Sequence, residues 1–153
     1  MPFPYQKILC PIDFNDSSAQ AIDHAAALAS NCSATLYLLH VVQINPLVAQ
    51  GAAEGRAGKE LYDAQVEAAG AQLQQIAQHI PPGVKREIAI EIGEPASLII
   101  DAVQRLGPDL VVMATHGRRG LKRLVLGSVA EQVVRESSVP VLTVRSAPTK
   151  AAA

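Results

Sequence analysis

Apolar positions fall in five short runs along the chain, separated by stretches with helical periodicity. The first run is residues 7–12, with Ile8, Leu9, Cys10 and Ile12 apolar. Pro11 within it suits a strand that is already ending, because proline donates nothing to a ladder. Asn15, Asp16 and Ser17 are good helix N-caps. Ala21, Ile22, Ala25, Ala26, Leu28 and Ala29 follow at helical spacing until Asn31-Cys32-Ser33 closes the helix. Residues 34–42 (ATLYLLHVV) read as a second buried strand. Residues 43–58 carry Pro46, three glycines and weak periodicity, which predicts a long connection of the functional or mobile kind. An Ala/Gln-rich helix is predicted over 60–79, its inner face formed by Leu61, Ala64, Val66, Ala68, Ala69, Leu73, Ile76 and Ala77. Pro81-Pro82-Gly83 stops it.

Residues 84–92 alternate and form the third strand, and Gly93-Glu94-Pro95 opens a helix with proline in its first turn. Leu98, Ile99, Ala102, Val103 and Leu106 point inward along that helix, which Gly107-Pro108 ends. Residues 110–113 are the fourth strand, and residues 114–120 a small, basic loop. A last helix opens at Gly127-Ser128 with Val129, Gln132, Val133 and Glu136. Residues 139–144 make a fifth strand. The pattern predicts one α/β domain over residues 1–147, an open parallel sheet with helices on both faces, and a flexible tail at 148–153. One reversal of winding direction places a crevice at the sheet's carboxyl edge. Strand order stays open at this level.

Composition narrows the picture. A chain of 153 residues can bury a proper core. With 49% apolar residues, 3% aromatic and no Trp, that core is built from Val, Leu, Ile and Ala. A net charge of −1 lacks the basic balance of a nucleic-acid binder; the exception is local, at Arg118, Arg119, Lys122 and Arg123. No apolar run approaches the ~20 residues of a membrane span, and the first residues lack a signal's charged and apolar regions, so a cytoplasmic protein is expected. Cys10 and Cys32 have no metal or redox spacing, and His24, His40 and His79 fall on separate elements.

Candidate chemistry concentrates in residues 109–140. A strand, a glycine-containing loop and a helix start are the parts of an anion site, since orphan amides at a helix N-terminus carry partial positive charge. The spacing is Ala114-x2-Gly117-x9-Gly127-Ser128. Neither GxxxxGK[ST] nor GxGxxG is present, and no SGGxDS-like stretch follows the first strand. Asp13 sits just past the first strand's carboxyl end, where ligands bind in open α/β sheets. Plainer readings stand beside these. Ser128-Val129-Ala130-Glu131 fits a capping box, Asp13 fits a helix cap, and Gly117 and Gly120 fit a turn. The four basic residues fit a solvated face as well as counter-charges for a triphosphate. His116 has no assignable partner that would make it a general base, and reads more readily as a loop histidine held by backbone hydrogen bonds.

The segments ILCPIDFNDSSAQAIDHAAALA, GEPASLIIDAV and DLVVMATHGRRGLKRLVLGSVAEQVVRESSVPVLTV resemble the universal stress proteins of the UspA superfamily over nearly the whole chain. The resemblance implies a Rossmann-like sheet of order 3-2-1-4-5 and a homodimer joined through the last strand. For one branch of the family it also implies ATP binding through G-x2-G-x9-G-[ST], with Mg²⁺ accompanying the nucleotide. Carried over by position, Gly117, Gly127 and Ser128 hold the phosphates and Val129 adds an amide. Asp13 contacts the nucleoside, and Pro11, Ile12 and Val41 line the adenine pocket. Met113, His116 and Arg118 flank the motif and complete the expected nucleotide-binding set. Ala114 departs from the pattern, which has glycine there; its methyl is tolerated where φ is negative and weakens binding where backbone must lie against phosphate. Three functions follow: a nucleotide-held regulator whose 43–58 loop the ligand orders, a slow ATP hydrolase, or a nucleotide-independent dimeric adaptor with a lost site.

Overall fold

A computed structural model of the chain describes residues 3–115 and 126–145; the tail expected at 148–153 lies outside them. The elements are β1 (Lys7–Ile12), α1 (Asp16–Cys32), β2 (Thr35–Val42), α2 (Pro46–Glu54), α3 (Arg56–Gln78), β3 (Arg86–Ile92), α4 (Pro95–Leu106), β4 (Leu110–Ala114), α5 (Ser128–Glu136) and β5 (Val141–Val144). All strand pairs are parallel, in the order β3-β2-β1-β4-β5. This is the expected Rossmann-like α/β fold.

Side chains alternate across a strand, so each central strand feeds two cores. Ile8, Cys10, Ile12, Leu36, Leu38 and Val112 pack under α1 and α3. Leu9, Leu39, Val111 and Met113 pack on the other face with Ile99, Val103 and Val133 from α4 and α5. Burial on both faces explains the near-continuous apolar runs in the sequence.

The β1–β4 ladder is short. It pairs Ile8 with Leu110 and Leu9 with Val111 and then stops, whereas β1 stays paired to β2 as far as Ile12 and His40. The two central strands therefore part at their carboxyl ends, where the connections leave in opposite directions. Pro11, which has no N–H for a ladder, sits in the parted stretch.

Three expectations are corrected. Residues 43–58 are largely helical rather than an irregular connection. Asn45 accepts a hydrogen bond from the Leu47 amide at 2.8 Å, and Pro46 occupies the first turn, a pairing that starts a helix. α2 then folds back on α3 through a glycine contact: a Cβ on Gly58 would lie 2.1 Å from the Gly51 carbonyl carbon. Secondly, only Ala69, Leu73 and Ala77 of the predicted inner face of α3 are buried, and Leu61 is 51% exposed. The first turns of α3 lie beside α2 instead. Thirdly, β5 begins at Val141, after Pro140, whose carbonyl accepts from the Val111 amide at 3.0 Å.

Candidate functional site

α5 begins without a side-chain cap. Gly127 is its N-cap and Ser128 its first helical residue, so Ser128 does not form the capping box that S-x-x-E suggests. The Glu131 amide donates to the Gly127 carbonyl at 2.8 Å, an ordinary helical bond. Ser128 is exposed, and its hydroxyl has no partner among the described residues. The amides of Ser128 and Val129 belong to the first turn, where a helix has no internal acceptor for them. Gly127 has φ −61°, which any residue adopts, so its backbone conformation does not require glycine.

The start of α5 is tied to the end of β4. The Gly127 amide donates to the Thr115 carbonyl at 2.6 Å, and the Thr115 amide donates to the Val144 carbonyl at 3.1 Å. Thr115 is only 6% exposed, and its Oγ1 has no hydrogen-bond partner among the described residues. A buried hydroxyl without a partner costs on the order of 1–3 kcal/mol.

Across the parted strands lies Asp13. It does not cap α1, as one reading had it; Asn15 does, accepting from the Ser18 amide at 3.2 Å. The Asp13 carboxylate instead anchors that cap. It accepts from the Asn15 amide at 3.2 Å, from Asn15 Nδ2 at 2.8 Å and from the Ser18 hydroxyl at 2.5 Å. A carboxylate offers about four lone-pair sites, so acceptor capacity remains on this exposed side chain. Phe14 follows with φ 66° and stacks on His40, ring centroids 3.9 Å apart.

The remaining predicted residues divide by face. Pro11 shares the strand parity of Leu9, and Val41 packs towards the α4/α5 core with Met113, which is buried. Ile12 is turned the other way, into the α1/α3 core, and its carbonyl accepts from His40 Nδ1 at 2.6 Å. A nucleoside at the carboxyl edge would meet Pro11 and Val41 but not the Ile12 side chain. Ala114 lies in β4 paired with Val144, outside the positive-φ residues, with its methyl against the α1/α3 core. Alanine there strains nothing and points away from α5. His116, Gly117 and Arg118, with Arg119, Lys122 and Arg123, lie outside the described residues.

Among the described residues no group of His, Cys, Asp and Glu could hold a metal ion, and no helix is long and apolar enough to cross a membrane. The sequence pattern missed Thr115, whose burial depends on α5 docking beside it, and the Asn15–Ser18 support of Asp13. Their one local signal was a hydroxyl or amide residue just past each strand end.

A five-stranded parallel sheet in the order β3-β2-β1-β4-β5 with helices on both faces defines the class: a Rossmann-like α/β protein. The family model described as the Universal stress protein family matches residues 4–145, and the chain belongs to that family. Universal stress protein MJ0531 of Methanocaldococcus jannaschii is 35% identical over 144 residues, covering 92% of this chain and 82% of the relative. The solved structure of MJ0577, from the same organism, superposes with a TM-score of 0.82 at 29% identity, covering 95% of this chain and 99% of that one. A universal stress protein solved in complex with cAMP shares the fold, with a TM-score of 0.62 at 22% identity over 94% of this chain and 98% of that one.

Proposed function

We propose that this chain is an ATP-binding regulatory protein of the cytoplasm that acts as a homodimer. The observation that carries the reading is the start of α5, where the amides of Ser128 and Val129, the Ser128 hydroxyl and the buried Thr115 hydroxyl have no partner among the described residues. Such a group of donors suits phosphate oxygens, helped by the helix dipole. Glycine at 127, which no backbone angle demands, is explained by a ligand lying close against it. Asp13 would accept from a ribose hydroxyl, and Pro11 and Val41 would flank the base. The triphosphate supplies charge, and with it the Mg²⁺, whose remaining ligands are water rather than a protein cage. That the structural relative with cAMP holds an adenine nucleotide agrees with this choice of base. The dimer reading is supported by β5, an open edge strand with no charged residue.

The test is nucleotide carried through purification. Protein is denatured, the released nucleotide is separated by chromatography, and emptied protein is titrated with ATP and Mg²⁺. Stoichiometric adenine nucleotide is expected from the wild type. Gly127→Val should lose it, and Ser128→Ala should bind about tenfold more weakly, the loss of one charge-assisted hydrogen bond. Absence of bound nucleotide together with no binding at millimolar ATP would overturn the proposal in favour of a nucleotide-independent adaptor.

A further inference from the structure

On the opposite face of the sheet from α5, α1 and α3 run side by side without closing on each other. α1 packs mainly on β4 and β1 and also reaches β5 and β2, whereas α3 packs on β3 and β2, and a groove of about 240 Å³ lies between the two helices. Small residues on α1, Ala19 and Ala26, keep it open, and Ile12, Phe14, Ile22, Ile76 and Ile80 make it apolar. From these features we infer that the groove is a second ligand site, for a small aryl-alkyl amine. This inference does not rest on the nucleotide reading.

Size sets the body of the ligand. A dry cavity of roughly 150 Å³ accepts benzene, and drug-sized ligands occupy about 300 Å³ or more. The groove falls between, room for one aromatic ring and a short chain. Charge sets the head group. Asp23 and His79 border the groove, and both also line the shallow extension that continues it along α1. The Asp23 carboxylate makes no hydrogen bond or ion pair among the described residues. His79 Nδ1 donates to the Gln75 carbonyl at 2.8 Å, which leaves Nε2 as the nitrogen free of that bond. Among the described residues no Lys or Arg lines the groove. Beside the neutral groups of Asn15, Ser18 and Gln72, the Asp23 carboxylate is the one negative charge on the described lining, so a positive head group suits it, and a primary ammonium has three N–H bonds to give. A carboxylate head would meet Asp23 with the wrong sign.

The experiment titrates the whole chain with 2-phenylethylamine, 2-phenylethanol and 3-phenylpropanoate, following isoleucine methyl resonances. Saturable shifts at Ile22, Ile76 and Ile80 are expected with the amine. The alcohol should bind about threefold to fivefold more weakly, the worth of one exposed ion pair, and the carboxylate more weakly still. Asp23→Asn should erase the preference for amine over alcohol. Ala19→Leu, at an exposed position, should fill the groove and abolish saturation while the thermal melt stays in place. Shifts that fail to saturate, that are equal for all three probes or that survive Ala19→Leu would overturn the inference. So would concentration-dependent shifts of the same methyls without any probe, which would give the groove to a second copy of the chain.

Discussion

Two single residues show how environment sets chemistry in this protein. Cys10 lies in the middle of β1 and is fully buried, and burial pushes its thiol up to about 12. Thiolate is the reactive form, so an alkylating reagent at neutral pH is expected to modify the half-buried Cys32 while sparing Cys10 until the protein unfolds. Mass spectrometry of partially labelled native protein checks this. Glu94 is an exposed carboxylate held below its ordinary value of 4.5, first by the Ser97 hydroxyl and then by the Ser97 and Ala96 amides at the start of α4. Because the folded value is lower than the unfolded one, the stabilisation is present above pH 4.5 or so and disappears as the pH falls through the lowered value. Glu94→Ala should cost about 1 kcal/mol at neutral pH, the usual worth of a capping side chain. Thermal melts of the two proteins should converge in acid; a constant gap would show that the cap does not act through its charge.

Among the elements, β1, β2, β4, α1, α4 and α5 were legible because each carries its own periodicity or apolar run. α2 was not. Its start signal, Asn45-Pro46, is local, but its packing depends on Gly51 meeting Gly58 across a turn, and three glycines in a row of small residues lower helical propensity. Half of the α3 inner face was misjudged for a related reason: Leu61 and Val66 have helical spacing, but spacing cannot say whether a sheet lies beneath them. Of the candidate site, Gly127, Ser128 and Asp13 were found from their place after strands, while the orphaned Thr115 hydroxyl required the docked helix. The α2–α3 contact is asymmetric. A Cβ on Gly51 would meet only the Gly58 Cα at 3.7 Å, an ordinary contact, whereas one on Gly58 strikes backbone. Gly58→Ala is therefore expected to release α2, read as faster amide exchange over 46–54. Global stability should barely change, since α2 buries no residue. Gly51→Ala should leave exchange as it is.

At the scale of the molecule, the two sheet edges are unlike. β3 carries Arg86, Glu87 and Glu91, whereas β5 is Val141, Leu142, Thr143 and Val144, with Leu142 39% exposed. Charged edge strands resist pairing and apolar ones invite it. Leu142→Glu should therefore halve the mass seen by light scattering, and an unchanged mass would count against pairing through β5. The same difference between edges limits growth. When two copies join β5 to β5, the pairing consumes the receptive edge of each, and both ends of the extended sheet are then β3, studded with charge. A third copy would then find no apolar edge to add to. On the proposed dimer the chain would carry its own termination signal, with the charged residues at the far side of its sheet keeping an uncapped apolar strand from polymerising.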